Sequence, residues 1–269
     1  MIEVIHKMPM LDINGTSLFY TIRGSGTPIV FIHPPLLTSA NFIYQLEELS
    51  RDYQVITFDI RGHGRSEYSK QPITYSLIVE DIISLLDYLG IKKAFICGYS
   101  TGGSIVLEFF LTKASRALGG IIISGMSEVK DQYLKLRISL AAKLAEANAI
   151  PFLSLAISFG NSNNMQVFKK MHKEALHGNA KNIQQYYRYS LQYNCTNKLQ
   201  NIDLPVLLIY GTKDKAFHKY AQILHEKLPL NKLLFFEKER HQIPTKVANK
   251  LNEMISEFVY KVNKEYENS

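Results

Sequence analysis

The stretch Cys97-Gly98-Tyr99-Ser100-Thr101-Gly102-Gly103-Ser104 decides how this chain is read. It follows an apolar run, Ala94-Phe95-Ile96-Cys97, and it opens a helical pattern. It matches G-x-S-x-G, in which a tight strand-to-helix turn lifts a serine hydroxyl above a sheet. Glycines on both sides let backbone and helix approach a residue held in an uncommon conformation. Taken alone, the pattern is also compatible with an ordinary glycine-rich strand–helix turn. What gives it weight is the strand before it and the helix after it.

The rest of the chain repeats that alternation. Residues 17–23 alternate with period two, as a half-exposed strand does. Residues 29–32 are apolar throughout, and 53–59, 94–97, 119–124, 205–210 and 232–236 are similar, mostly apolar runs, which suits strands of a parallel sheet covered on both faces. Residues 75–89 place Leu77, Ile78, Ile82, Leu85, Leu86 and Leu89 on one wide apolar face, and Gly90 stops the helix. Further helical patterns follow Thr101, Lys215 and Thr245. This alternation predicts a mostly parallel sheet with helices on both faces. It breaks at 127–204, where no strand run occurs and helical patterns at 132–148 and 166–177 precede the tyrosine-rich Tyr186-Tyr187-Arg188-Tyr189. The division expected is a core of 1–126 and 205–269 with an all-helical insertion at 127–204.

A serine hydroxyl is a weak nucleophile until a base takes its proton, and the base needs an orienting acid. Both lie past later strands. Leu207-Leu208-Ile209-Tyr210-Gly211-Thr212-Lys213-Asp214 places an aspartate just after one, and Leu233 to Arg240 leads into His241 just after the next. Carboxyl ends of strands are where open α/β sheets place their ligands. With Phe58-Asp59-Ile60-Arg61-Gly62-His63-Gly64-Arg65-Ser66, which is similar to the family's D-x-R-G-x-G-x-S turn, the chain resembles the α/β-hydrolase superfamily over nearly its whole length outside the insertion. That resemblance implies Ser100 as nucleophile, Asp214 as acid, His241 as base and 127–204 as a cap. Glu128 is a rival acid. His63 reads as structural or pocket-lining, and Arg240 stands where the family usually carries glycine.

In such proteins two backbone N–H groups bind the oxyanion. One belongs to the residue after the nucleophile, here Thr101. The other belongs to the second residue after the histidine of a His-Gly-x loop. Here that loop reads His33-Pro34-Pro35-Leu36, and Pro35 has no N–H. Leu36 is the expected donor, through a turn pre-set by the prolines, one of whose preceding bonds is open to the cis form. A single-donor hole, or one completed by the Thr38 hydroxyl, is the alternative.

Bulk composition excludes more than it assigns. The formal charge is +7, but it is spread along the chain, with Lys169, Lys170 and Lys173 its densest group, so neither nucleic acid nor a membrane is an expected partner. Cys97 and Cys195 have no metal-type spacing, and no metal or organic cofactor is expected. Met1 to Lys7 lacks a leader pattern, which points to a cytoplasmic protein. The expected activity is a serine hydrolase taking a small, fairly apolar carboxylic ester or related acyl compound. Phe152, Phe159, Phe168, Tyr186, Tyr187 and Tyr189 suit an apolar pocket. A ligand-binding regulator with little turnover is the rival reading, along with carbon–carbon hydrolysis, acyl transfer or perhydrolysis from the same scaffold.

Overall fold

A computed structural model describes residues 9–267. The Met1–Lys7 stretch read for a leader lies outside the described residues. Eight strands form one sheet in the order β1-β2-β4-β3-β5-β6-β7-β8. They are β1 (Met10–Ile13), β2 (Thr16–Arg23), β3 (Pro28–Ile32), β4 (Gln54–Phe58), β5 (Ala94–Tyr99), β6 (Ala117–Ile123), β7 (Val206–Gly211) and β8 (Asn231–Phe236). β1 and β2, and β2 and β4, pair antiparallel, and all the other neighbours pair parallel. The short edge strand β1 has no counterpart in the sequence reading, because four residues are too few to show a period.

The helices are α1 (Ile43–Leu49), α2 (Tyr75–Tyr88), α3 (Thr101–Lys113), α4 (Gln132–Glu146), α5 (Ile150–Asn161), α6 (Met165–Ala175), α7 (Ala180–Gln192), α8 (Lys215–Lys227), α9 (Ile243–Lys246) and α10 (Ala248–Glu267). Alternate residues of the central strands feed two cores. Val30, Ile32, Ile96, Ile122 and Leu208 pack with Leu85 of α2, Ile105 of α3 and Leu224 of α8. Ile29, Phe31, Phe95, Ile121 and Leu207 pack with Leu49 of α1 and Leu251, Ile255 and Val259 of α10. Burial on both faces is why these strands read as unbroken apolar runs.

Helices α4 to α7 fill the 127–204 region, and α4 packs along α7. Its extended backbone amounts to one isolated bridge, Glu128 to Asn194. Several polar contacts join these helices to the loops at the carboxyl edge of the sheet. Arg65 pairs through Nε (2.8 Å) and its terminal nitrogen with Glu174 of α6. Asn182 of α7 accepts from the Ser69 N–H (2.8 Å) and donates to the Ser69 carbonyl (3.1 Å).

Candidate active site

Three strand ends converge. At β5 the chain turns into α3 through Ser100, whose φ of 55° is a left-handed value that a side-chain-bearing residue rarely adopts. The Ser100 N–H donates to Ile123 O (2.8 Å) and its carbonyl accepts from Gly103 N–H (2.9 Å), so the turn is held from both ends. Gly98 and Gly102 are needed for close approach. A Cβ on Gly98 would lie 2.2 Å from Gly102 O, and one on Gly102 would lie 2.2 Å from Ile32 O.

Asp214 caps α8 just beyond β7, and His241 lies beyond β8. The two loops are laced together by Lys213 N–H to Glu239 O (2.8 Å) and Thr212 N–H to Phe236 O (3.0 Å). Gly211 permits that approach, since a Cβ there would meet Glu239 O at 2.3 Å. His241 Nδ1 is 2.7 Å from Asp214 Oδ2, and His241 Nε2 is 3.1 Å from Ser100 Oγ. Phe217 of α8 packs on the imidazole, 4.2 Å between ring centres. Arg240 causes no strain, because the left-handed residue of this loop is Lys238 (φ 63°). Glu128, the rival acid, instead accepts from Asn194 Nδ2 (3.0 Å).

A cavity of about 330 Å³ opens on Ser100, Thr101 and His241. Its wall is mostly aliphatic: Leu134, Ile138, Ala141 and Leu144 of α4, with Leu153 and Ile157 of α5. The pocket is apolar, as expected from the sequence, but aliphatic residues and not the insertion's aromatics supply most of its wall. Of the six aromatics named above, only Tyr187 lines the cavity, while Phe152 and Phe159 are about two-thirds exposed. Periodicity marks which helix face is apolar, but not which of two apolar surfaces faces a neighbour. Tyr99 and Asn161 also line it; the Tyr99 hydroxyl donates to Asn161 Oδ1 (2.9 Å), and burial pushes that hydroxyl far up. Neither carried a sequence signal beyond Tyr99 being the variable residue of G-x-S-x-G.

The two prolines form a turn with Leu36 in the left-handed region (φ 69°), and every peptide bond among the described residues is trans. Pro at the second and a positive φ at the third position of a turn suit type II geometry. Hydroxyls from α7 brace this loop: Tyr186 donates to His33 O (3.1 Å) and Tyr187 to Pro35 O (3.4 Å). The Thr38 hydroxyl faces away from the cavity lining. It accepts from Ala40 N–H (3.2 Å) as the cap of a short 3₁₀ turn.

The 58–66 turn anchors the same loop. Asp59 accepts from Ser39 N–H (2.7 Å) and Arg65 N–H (2.9 Å), and His33 Nε2 accepts from Ile60 N–H (2.9 Å). His63 is buried behind His33, 5.4 Å between ring centres, with Nδ1 3.1 Å from Arg61 O. It therefore plays a structural part and does not reach Ser100. Burial pulls His33 down to about 3, aided by His63, and His63 to about 4. Both imidazoles are neutral in the fold, whereas in the unfolded chain they charge near about 6.5. The unfolded state therefore binds more protons below that pH, and stability falls as pH drops, by about 1.4 kcal/mol per unit per imidazole. At pH 5 each imidazole is expected to cost the fold about 2 kcal/mol. Urea midpoints at pH 7.5 and pH 5.0 check this: His63→Gln should lower stability at pH 7.5 yet roughly halve the acid-induced drop. An undiminished drop would show that other groups drive it.

Among the described residues no cluster of three metal-ligating side chains occurs, and no helix is long and apolar enough to cross a membrane.

Comparison with known proteins places this geometry. A family model described as the alpha/beta hydrolase fold matches residues 27–244. The chain is 26% identical to 3-oxoadipate enol-lactonase 1 of Acinetobacter baylyi over 221 residues, 78% of this chain and 80% of that one. Among solved structures it resembles an enol-lactonase from Burkholderia xenovorans (TM-score 0.83, 21% identity, 94% of this chain and 100% of that one). An esterase from Exiguobacterium antarcticum is similar to the same degree (TM-score 0.83, 21% identity, 92% and 97%). With the family model covering most of its length and the sheet order and strand-end loops described above, this chain belongs to the α/β-hydrolase superfamily.

Proposed function

We propose that this protein is a serine hydrolase that opens small, fairly apolar carboxylic esters or related acyl compounds through an acyl-enzyme. One observation carries the reading: Ser100 Oγ, His241 Nε2 and Asp214 Oδ2 form one hydrogen-bonded chain at the floor of a largely aliphatic cavity. His241 takes the Ser100 proton as Oγ attacks the carbonyl carbon. Asp214, bonded to Nδ1, holds the ring in the tautomer that leaves Nε2 free to accept. The tetrahedral oxyanion is received by Thr101 N–H, in the cavity lining, and by the backbone N–H of Leu36, whose side chain is buried away from the cavity between lining residues Pro35 and Leu37. Neither N–H has a protein acceptor among the described residues. Protonated His241 gives its proton to the leaving alkoxide. Water, deprotonated by the same ring, then attacks the acyl carbon and frees Ser100. Residues 127–204 act as the cap, with α4 and α5 forming the roof of the acyl site. The enol-lactonase relatives support a ring ester as one acceptable substrate.

The test is covalent. A fluorophosphonate probe is expected to add once per chain and to map to Ser100, with hydrolysis of p-nitrophenyl esters peaking at short to medium acyl length for a cavity of this volume. Absence of labelling together with absence of turnover would favour the second reading, a ligand-binding regulator. Pro35, which removes the usual second oxyanion donor, is the observation on its side.

A further inference from the structure

Helix α4 presents the stripe Leu134, Ile138, Ala141 and Leu144 to the cavity. Positions i, i+3, i+4 and i+7 share a helix face, and on this face the i+3 position is Arg137. Arg137 lines the cavity with those leucines and is the one Lys or Arg to do so among the described residues. Tyr99 and Ser100 line the same cavity. Arg137 has no ion pair or hydrogen bond among the described residues. Its contact is the Tyr133 ring, 5.6 Å from the guanidinium carbon. The remaining charge in the wall, Asp214, is committed to His241.

We infer that the natural substrate is an acyl compound bearing a carboxylate, with the reacting carbonyl at Ser100 and the carboxylate on the Arg137 fork. This rests on the serine-hydrolase reading and adds the substrate class. A planar guanidinium matches a carboxylate through two parallel hydrogen bonds. A single arginine in a mostly apolar wall balances one negative charge, so a monoanion fits better than a phosphate dianion. The wall between Arg137 and Ser100 would hold the carbon chain that links the two groups. Arg137 is exposed, so it can take its ligand from solvent, and the attraction will weaken with salt.

The probes are monomethyl esters of straight-chain C4–C8 dicarboxylic acids, beside methyl esters of the monocarboxylic acids of equal length. In each protein the ratio of kcat/KM for the charged ester to that for the neutral one is measured. A charge-assisted hydrogen bond of the usual strength corresponds to a preference of at least about tenfold. The wild type is expected to show that preference at one or two chain lengths, and Arg137→Gln to lower the ratio at least tenfold. Arg137→Lys should keep part of it. Equal ratios in wild type and Arg137→Gln would overturn the inference while leaving a Ser100-dependent hydrolase standing. Binding of the same half-esters to Ser100→Ala, with and without Arg137→Gln, is read by calorimetry and does not need turnover. A tenfold or greater loss of affinity on removing Arg137 would uphold the carboxylate site even if no ester is cleaved. Equal affinities, or no binding, would overturn it.

Discussion

Ser100→Ala is expected to lower kcat for ester hydrolysis by about 10⁴-fold or more while leaving KM within a few-fold of the wild type. The expectation follows from the bond lost: without Oγ there is no acyl-enzyme, and what remains is water attack assisted by the oxyanion donors and by binding alone. The fold should be untouched, because alanine keeps the Cβ that already occupies the left-handed turn at φ 55°. The hydroxyl removed makes its protein contact with His241 Nε2 at 3.1 Å, at the cavity and not in the core. Thermal melting within about two degrees of the wild type would establish that activity is lost to chemistry and not to unfolding. Residual turnover within tenfold of the wild type would sink the nucleophile assignment. A full loss would also show that an adequate oxyanion hole exists although Pro35 cannot donate.

Gly98→Ala should have the largest effect on stability of any single methyl addition at the site. The new Cβ would sit 2.2 Å from Gly102 O, 2.4 Å from Gly102 C and 2.6 Å from Gly103 N, all of them backbone atoms of the first turn of α3. A flexible side-chain end could swing away, but here the clash can be relieved only by lifting the helix off β5 in the middle of the sheet. Overpacking against rigid neighbours typically costs about 1–3 kcal/mol, and a backbone clash in a fully buried strand belongs at or beyond the upper end. We expect a loss of at least about 3 kcal/mol in denaturant unfolding, and a displaced Ser100 that leaves little activity in whatever protein folds. Gly160→Ala is the matched control. Its Cβ would meet nothing within 4 Å on helix α5, so a gain of up to about 1 kcal/mol is expected from helix propensity. Similar stabilities for the two variants would refute the close-approach argument.

Much of the site was legible because its parts are local. A strand–Gly–x–Ser–x–Gly–helix junction is encoded in eight adjacent residues, since only glycine tolerates the contacts that surround Gly98 and Gly102. Asp214 is conspicuous because it closely follows β7, an apolar run buried throughout, whereas His241 lies five residues past β8, an edge strand whose Leu233–Phe236 run reads as apolar although most of it is only partly buried. The choice of Asp214 over Glu128 was open in the sequence. In the structure Asp214 is the carboxylate that meets His241 (2.7 Å), while Glu128 is engaged by Asn194, 66 residues along the chain.

The cavity was not legible, and the reason is geometric. Helices α4 and α5 carry apolar residues around more than one face: Leu136, Phe152 and Phe159 end up exposed, while Leu134, Ile138 and Leu153 turn inward. Hydrophobicity alone cannot choose between those faces, because the choice depends on how helices from distant parts of the chain pack over the sheet. The same holds for Arg137, a single polar residue in an apolar stripe, which acquires meaning only once the opposing wall contains Ser100. The sequence by itself determined the central strands of the sheet and the strand-to-helix turn at Ser100, each specified by neighbours within a few residues, while Asp214 and His241 were singled out by their places after strands together with the family resemblance. Tertiary structure alone decided which side chains enclose the cavity, the bracing of the His33–Leu36 loop by Tyr186 and Tyr187, and the placement of Arg137 in the wall of the cavity that holds Ser100. Those depend on contacts between segments far apart in the chain, from the 37 residues between Ser100 and Arg137 to the 153 between Tyr186 and His33, and no local pattern records them.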